Sequence, residues 1–187
     1  TVFVFQWMLF GMAYWGLRLR RVSIGSLVAY RWKGWGGLGR CLLLAAGCWA
    51  VAFLAVAQGL DATGMRDPDD IRRVVEMIAP RGAIELALWT VVSVTAGFVE
   101  EIVFRGYLQR QFTAWTRNHI AGCAITALVF GAGHAYQGPV GTIPIAAGGI
   151  VYGLLYWAGG RRPWPLILGH GVVDTIGLTS MFKGGTP

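Results

Sequence analysis

The sequence predicts an all-α protein: a polytopic transmembrane helical bundle of about six membrane segments, folded as a single integral membrane domain over residues 1–187. Three observations predict it. With 187 residues, 55% hydrophobic and 13% charged, and a mean hydropathy of +0.54, the chain is too apolar for an ordinary soluble domain. Its apolar residues gather in runs suited to a lipid core about 30 Å thick. Its acidic residues divide between one polar loop and a few positions in or beside apolar stretches, where charge is a functional signal by default.

Taken in order, Val2 to Leu17 is the first segment, near the lower length limit for a span. It has no basic leading region and no small-residue cleavage site before Arg18, so it does not read as a signal peptide. The chain opens on Thr rather than Met, so a start further upstream, and thus truncation at the N-terminus, is expected. Leu42 to Leu60 is an almost uninterrupted apolar run. Asp61 to Arg81 carries Asp61, Asp67, Asp69, Asp70 and Glu76 and reads as an exposed connection with a short amphipathic helix. A further span must run between Gly82 and Phe112. Ala121 to Phe130, Val140 to Ala158 and Pro165 to Met181 are apolar with Gly and Thr interspersed, and Gly149-x-x-x-Gly153 reads as a helix-packing face.

Loop charges orient the bundle. Arg18, Arg20, Arg21, Arg31, Lys33, Arg40, Arg110, Arg117, Arg161 and Arg162 fall on one side, against Arg66, Arg72, Arg73, Arg81 and Lys183 on the other. The positive-inside rule puts the first group in the cytoplasm. The net charge of +7 is therefore a leaflet preference; the basic residues do not interleave with exposed aromatics as a nucleic-acid surface would need, so no nucleic-acid partner is expected. Trp32, Trp35, Trp115, Trp157 and Trp164 flank spans as an interfacial belt would.

Four acids, Glu85, Glu100, Glu101 and Asp174, lie in or beside apolar segments. Glu85 can reach the interface from its helix start. The other three need partners, protonation or a polar cavity, because a central charge costs roughly 2.5–3.5 kcal/mol on insertion scales. Glu101 and Arg105, four apart, can pair along one helix face, while Glu100 projects about 100° away. Glu100 is then a spare carboxylate suited to general-base work, or all three groups form a structural ion-pair cluster. His134 ends Phe130-Gly-Ala-Gly-His134, and reads either as a packing residue or as part of a site. His170 and Asp174 form a second pair at helical spacing, an interhelical clamp or an oriented imidazole. His119, beside Asn118, reads as interfacial.

Taken together these motifs resemble the CPBP intramembrane proteases, which include the type II CAAX prenyl endopeptidases and bacterial relatives linked to bacteriocin processing or immunity. The family pattern stands here as Glu100-Glu101-Ile-Val-Phe-Arg105, Phe130-Gly-Ala-Gly-His134 and His170-Gly-Val-Val-Asp174. The resemblance covers roughly residues 82–180, which would form the catalytic core. It implies that Glu100 and His134 activate a water, that His170 and Asp174 stabilise the oxyanion, and that Glu101, Arg105 and Phe130 support the site. Asp174 is an acceptor when ionised, so its role requires protonation or action through His170.

No cofactor is expected, since a Glu and two His supply a base and oxyanion donors. Zinc held by His134, His170 and Glu100 is the alternative, although His-Glu-x-x-His is absent. Cys41, Cys48 and Cys123 have no close-spaced partner and read as small buried hydrophobes. The expected function is an intramembrane endopeptidase acting on a membrane-associated peptide or protein. The alternative is a non-catalytic accessory, immunity or complex subunit that binds a membrane partner. The Ala, Gly, Arg and Trp bias points to a bacterial source, hence to the bacterial cytoplasmic membrane.

Depth supplies a constraint. A straight helix entering at Gly82 would carry Glu100 about 27 Å inward, while His134 would lie about 24 Å from Asn118 at the opposite face. The two meet only if the crossing window is about Val92 to Phe112, with Ala83 to Val91 extending beyond it. Glu100 is then expected within about 10 Å of both His134 and His170, given the lengths involved.

Overall fold

Apolar periodicity becomes a bundle of helices packed through glycine-lined seams. The computed structural model describes residues 2–28, 34–64 and 67–182; Arg31, Trp32, Lys33, Arg66 and Lys183 lie outside them, as do the side chains of Trp35, Cys41 and Cys48. Helix α1 spans Val2–Leu19, α2 Ile24–Val28, α3 Gly34–Ala62 and α4 Pro68–Ile78. Helix α5 spans Ala83–Glu100 and runs without a break through a π-helical segment, Glu101–Leu108, into α6, Gln109–Thr116. Helix α7 spans His119–Ala132, and a 3₁₀ turn at Ala135–Gln137 leads into α8, Gly138–Ala158, and α9, Trp164–Met181.

Among the described residues, four helices are long and apolar enough to cross a membrane: Val2–Leu19, Leu42–Ala62, Ala83–Thr116 and Ala135–Ala158. The remaining two expected segments are helical but do not reach that measure. Helix α7 has 14 residues, and α9 carries His170 and Asp174, whose polarity offsets its Leu, Ile and Val. The 34 residues of Ala83–Thr116 would reach about 50 Å if wholly α-helical. Against a core of about 30 Å, such a helix must tilt or extend beyond the lipid.

The polar loop forms the amphipathic helix its composition calls for. Asp67 caps α4 by accepting from the Asp69 amide at 2.8 Å, Pro68 occupies the first turn, and Arg72 pairs with Asp69 at 3.1 Å. None of its residues is buried. Asp61 falls on the last turn of α3 rather than in the loop. Glu85 lies in the first turn of α5, accepting from the Arg81 amide at 2.9 Å.

Two seams position the interior. Helices α5 and α9 meet at Gly97, where an added Cβ would lie 2.7 Å from the Ile167 carbonyl oxygen and 2.8 Å from the Gly171 nitrogen. Helices α7 and α8 meet along the Gly149-x-x-x-Gly153 face: a Cβ on Gly149 would stand 3.3 Å from Ala127, and one on Gly153 2.4 Å from the Cys123 sulfur. Cys123 is buried and unpaired by disulfide. The absent side chains also expose backbone carbonyls: Arg105 Nη2 donates to Gly149 O at 3.3 Å and Gln109 Nε2 to Gly153 O at 2.9 Å. Two residues four apart on the α5–α6 rod thus grip two carbonyls four apart on α8. A cluster of Ala13, Val99, Val103, Phe104 and Phe130 fills the centre.

Gly97→Ala places its methyl group against backbone that cannot yield, so it is expected to destabilise the fold by about 1–3 kcal/mol. Gly171→Ala, whose Cβ meets Val94 at an ordinary 3.6 Å, should leave thermal unfolding in detergent near that of the unmodified chain. Equal behaviour of the two variants would refute this account of the α5–α9 seam.

Candidate active site

The site is assembled around the point where α5 passes into the π segment. A π register adds a residue to a turn and is frequent at functional positions. Here it carries Glu101 and Arg105, both fully buried, immediately after Glu100. Arg105 Nη1 donates to Glu101 Oε1 at 2.9 Å. The same oxygen meets His170 Nδ1 of α9 at 2.8 Å. The guanidinium lies between aromatic faces, 5.0 Å from the Phe130 ring centroid and 5.5 Å from that of Tyr152. Such cation–π contacts favour a desolvated Arg.

Glu100 takes no part in that pair. Its Oε2 stands 3.8 Å from His170 Nε2, and its side chain is 14% exposed against 0% for Glu101. Asp174 Oδ2 approaches the same nitrogen at 3.5 Å, with its side chain 35% exposed. His170 thus has one nitrogen directed to the buried Glu101 and the other towards the two more open carboxylates. The helical pair His170–Asp174 exists as the spacing suggests, but the closer partner of the imidazole is Glu101, from a different helix.

His134 approaches from the end of α7. Its Nδ1 meets the Phe130 carbonyl at 2.9 Å, so Nδ1–H donates there and Nε2 is left as the acceptor in the neutral ring. Its own carbonyl accepts from the Thr142 hydroxyl at 3.1 Å. Both imidazoles stand edge-on to Phe130, at centroid distances of 4.9 Å for His134 and 6.4 Å for His170. Phe130 also packs edge-on to Phe104 at 4.8 Å. All seven expected residues, Glu100, Glu101, Arg105, Phe130, His134, His170 and Asp174, are therefore gathered in one region. Glu100 and His170 lie well inside the 10 Å expected of them.

Sequence reasoning did not find Tyr152, which packs edge-on to His170 at 5.9 Å, nor the Gly149 carbonyl bound by Arg105. The Gly149-x-x-x-Gly153 spacing was the available signal for the second. Among the described residues, no three His, Cys, Asp or Glu side chains are arranged to hold a metal ion. His119 lies apart, at the start of α7, stacked on Trp157 at 5.4 Å and 3.5 Å from Arg161 Nη2.

Fold and geometry define an integral membrane helical protein with a carboxylate–histidine cluster inside its bundle. The family model described as type II CAAX prenyl endopeptidase Rce1-like matches residues 82–176, and the chain belongs to that Rce1-like family. At the family level this is a CAAX-type intramembrane protease. No curated protein and no solved structure matches the chain.

Removing one member of a buried ion pair leaves the other uncompensated, typically costing about 3–5 kcal/mol. Glu101→Gln is accordingly expected to lower the thermal midpoint sharply, whereas Glu100→Gln should unfold as the unmodified chain does. The reverse order would show that the structural and spare carboxylates have been assigned the wrong way round.

Proposed function

We propose that this chain is a glutamate-dependent intramembrane endopeptidase of a bacterial cytoplasmic membrane, cleaving a peptide bond of a membrane-associated peptide or protein without a cofactor. The observation that carries this reading is the unequal use of two adjacent carboxylates. Glu101 is consumed by Arg105 and His170, while Glu100 is left partly open, 3.8 Å from His170 Nε2. A bracing cluster has no need for the second.

In this mechanism Glu100 removes a proton from a water that also hydrogen-bonds to His134 Nε2, and the water oxygen attacks the scissile carbonyl carbon. Charge develops on the carbonyl oxygen. His170 Nε2–H donates to it, which requires the doubly protonated ring, since Nδ1–H already donates to Glu101. Asp174 is an acceptor on the same nitrogen, so it acts through His170 rather than directly on the oxyanion. Collapse of the tetrahedral adduct breaks the C–N bond, and Glu100 passes its proton to the departing amine. Phe130, wedged between the two imidazoles and the Arg105 guanidinium, fixes their separation.

Zinc on His134, His170 and Glu100 is the competing chemistry, and a non-catalytic membrane partner-binding role is the competing function. Cleavage of membrane-tethered peptides by purified protein separates all three. With a chelator present, the unmodified chain should cleave at its full rate, while Glu100→Ala and His134→Ala each lose about 10²–10⁴-fold, the usual range for a general base. Chelator sensitivity would instead favour zinc. A folded, unmodified chain that cleaves nothing in a broad peptide set would favour the accessory role.

A further inference from the structure

The turn that joins α7 to α8 carries an aromatic side chain that the proposed mechanism does not use. From Gly131 to Gly138 the sequence runs Gly-Ala-Gly-His-Ala-Tyr-Gln-Gly, so Tyr136 is the one aromatic ring there besides the imidazole of His134. It stacks on that imidazole, with ring centroids 6.2 Å apart and planes 28° from parallel. Its hydroxyl accepts from Gln137 Nε2 at 3.0 Å. Gln137 is seated in turn by the bareness of Gly141, where a Cβ would stand 2.5 Å from Gln137 Cβ and 2.6 Å from its Oε1. Tyr136 nonetheless stays 57% exposed.

A tyrosine serving only the interior would be covered, and an ordinary surface tyrosine would be held at neither end. Tyr136 is fixed at ring and hydroxyl while more than half of it remains open. Ordering a side chain on binding costs free energy, so a side chain ordered beforehand is suited to contact a ligand, and a flat amphipathic ring offers much area for few torsions. Position then indicates the ligand. With the attacking water between Glu100 and His134 Nε2, the scissile carbonyl carbon lies beside His134. An extended peptide advances about 3.3 Å per residue, so the side chains flanking the cut fall within roughly 4–7 Å of that point. Tyr136 stands in the same range. The turn from Gly131 to Gly138 has no acidic, lysine or arginine side chain, so a charged substrate residue finds no counter-ion on it, whereas an apolar one loses contact with water against the ring.

We propose that Tyr136 is a specificity-determining residue, whose ring, held against His134, packs against a large apolar side chain next to the scissile bond of the substrate peptide. Resting on the proteolytic reading for the path of the peptide, this makes the preferred substrates those with Phe or Leu, rather than a small or charged residue, flanking the cut.

The test uses membrane-tethered peptides with a single Phe, Ala or Lys in an otherwise Gly/Ser segment beside the tether. Binding is measured by fluorescence anisotropy with purified full-length Glu100→Gln, chosen to hold peptide without turnover, and cleavage is measured with Glu100 intact. The Phe peptide should bind about tenfold more tightly than the Ala peptide and be cleaved with about tenfold higher kcat/KM, the low end of what one apolar group contributes to discrimination. Tyr136→Ala, introduced in both backgrounds, should abolish both preferences, while Tyr136→Phe, which keeps the ring, should preserve them. A ratio taken within one preparation does not change with the fraction folded, so partial misfolding of a variant does not imitate the result. No binding of the Phe peptide, equal binding of the Phe and Ala peptides, a preference unchanged in Tyr136→Ala, or a preference for Lys would overturn the proposal. Discrimination in binding that is lost in Tyr136→Ala, with no cleavage by the unmodified chain, would sink the proteolytic reading and leave the Tyr136 contact standing; cleavage without discrimination would do the opposite.

Discussion

The buried contact between Glu101 and Arg105 is the constraint to which the rest of the interior answers. A carboxylate and a guanidinium at 0% and 1% exposure cannot be left to water, and their desolvation is offset only by close geometry and additional hydrogen bonds. The surroundings supply these from three other helices. His170 of α9 reaches the carboxylate, the Gly149 carbonyl of α8 accepts from the guanidinium, and Phe130 of α7 and Tyr152 of α8 cover its faces. The close approach at Gly97 brings α9 near enough to do so, and the one at Gly149 seats α8 against α7 beside Phe130.

With that pair fixed, the site's division of labour follows from position on the helix. Glu100 ends the α-helical stretch and Glu101 begins the π segment, so adjacent residues face different surroundings. Side-chain exposure rises from Glu101 at 0% through His170 at 12% and Glu100 at 14% to Asp174 at 35%. That gradient runs from the structural ion pair to the groups a water or peptide could reach. His170 stands between the two regimes, with one nitrogen in each.

Much of this was legible in the sequence because it is local. Apolar runs gave the helices, and spacings of four gave Glu101–Arg105, Phe130–His134 and His170–Asp174, since residues four apart share a helical face. The loop acids from Asp67 to Glu76 gave α4. The π segment was not legible: a change of backbone hydrogen-bond register is not marked by residue type in Glu101–Leu108. The Glu101–His170 contact joins residues 69 apart, and no spacing rule predicts it. The Gly149-x-x-x-Gly153 face was readable as packing, but not as a pair of carbonyl acceptors for Arg105 and Gln109. The count of six spans is limited by the site itself: His170 and Asp174 lower the apolarity of α9, and α7 stops short.

That stop has a physical consequence. Helix α7, at 14 residues, extends about 21 Å, less than a hydrocarbon core of about 30 Å. A helix that starts at one interface must then end inside the membrane's thickness, where its last carbonyls lack both helical and solvent partners. Such a turn is tolerated only against protein or a water-filled cavity. His134 meets the first need by donating Nδ1–H to the Phe130 carbonyl at 2.9 Å. The same hydrogen bond selects the ring tautomer whose Nε2 is an acceptor. In this fold one contact both serves a helix end inside the bundle and leaves Nε2 as an acceptor, which gives a physical reason for a histidine at the point where α7 ends.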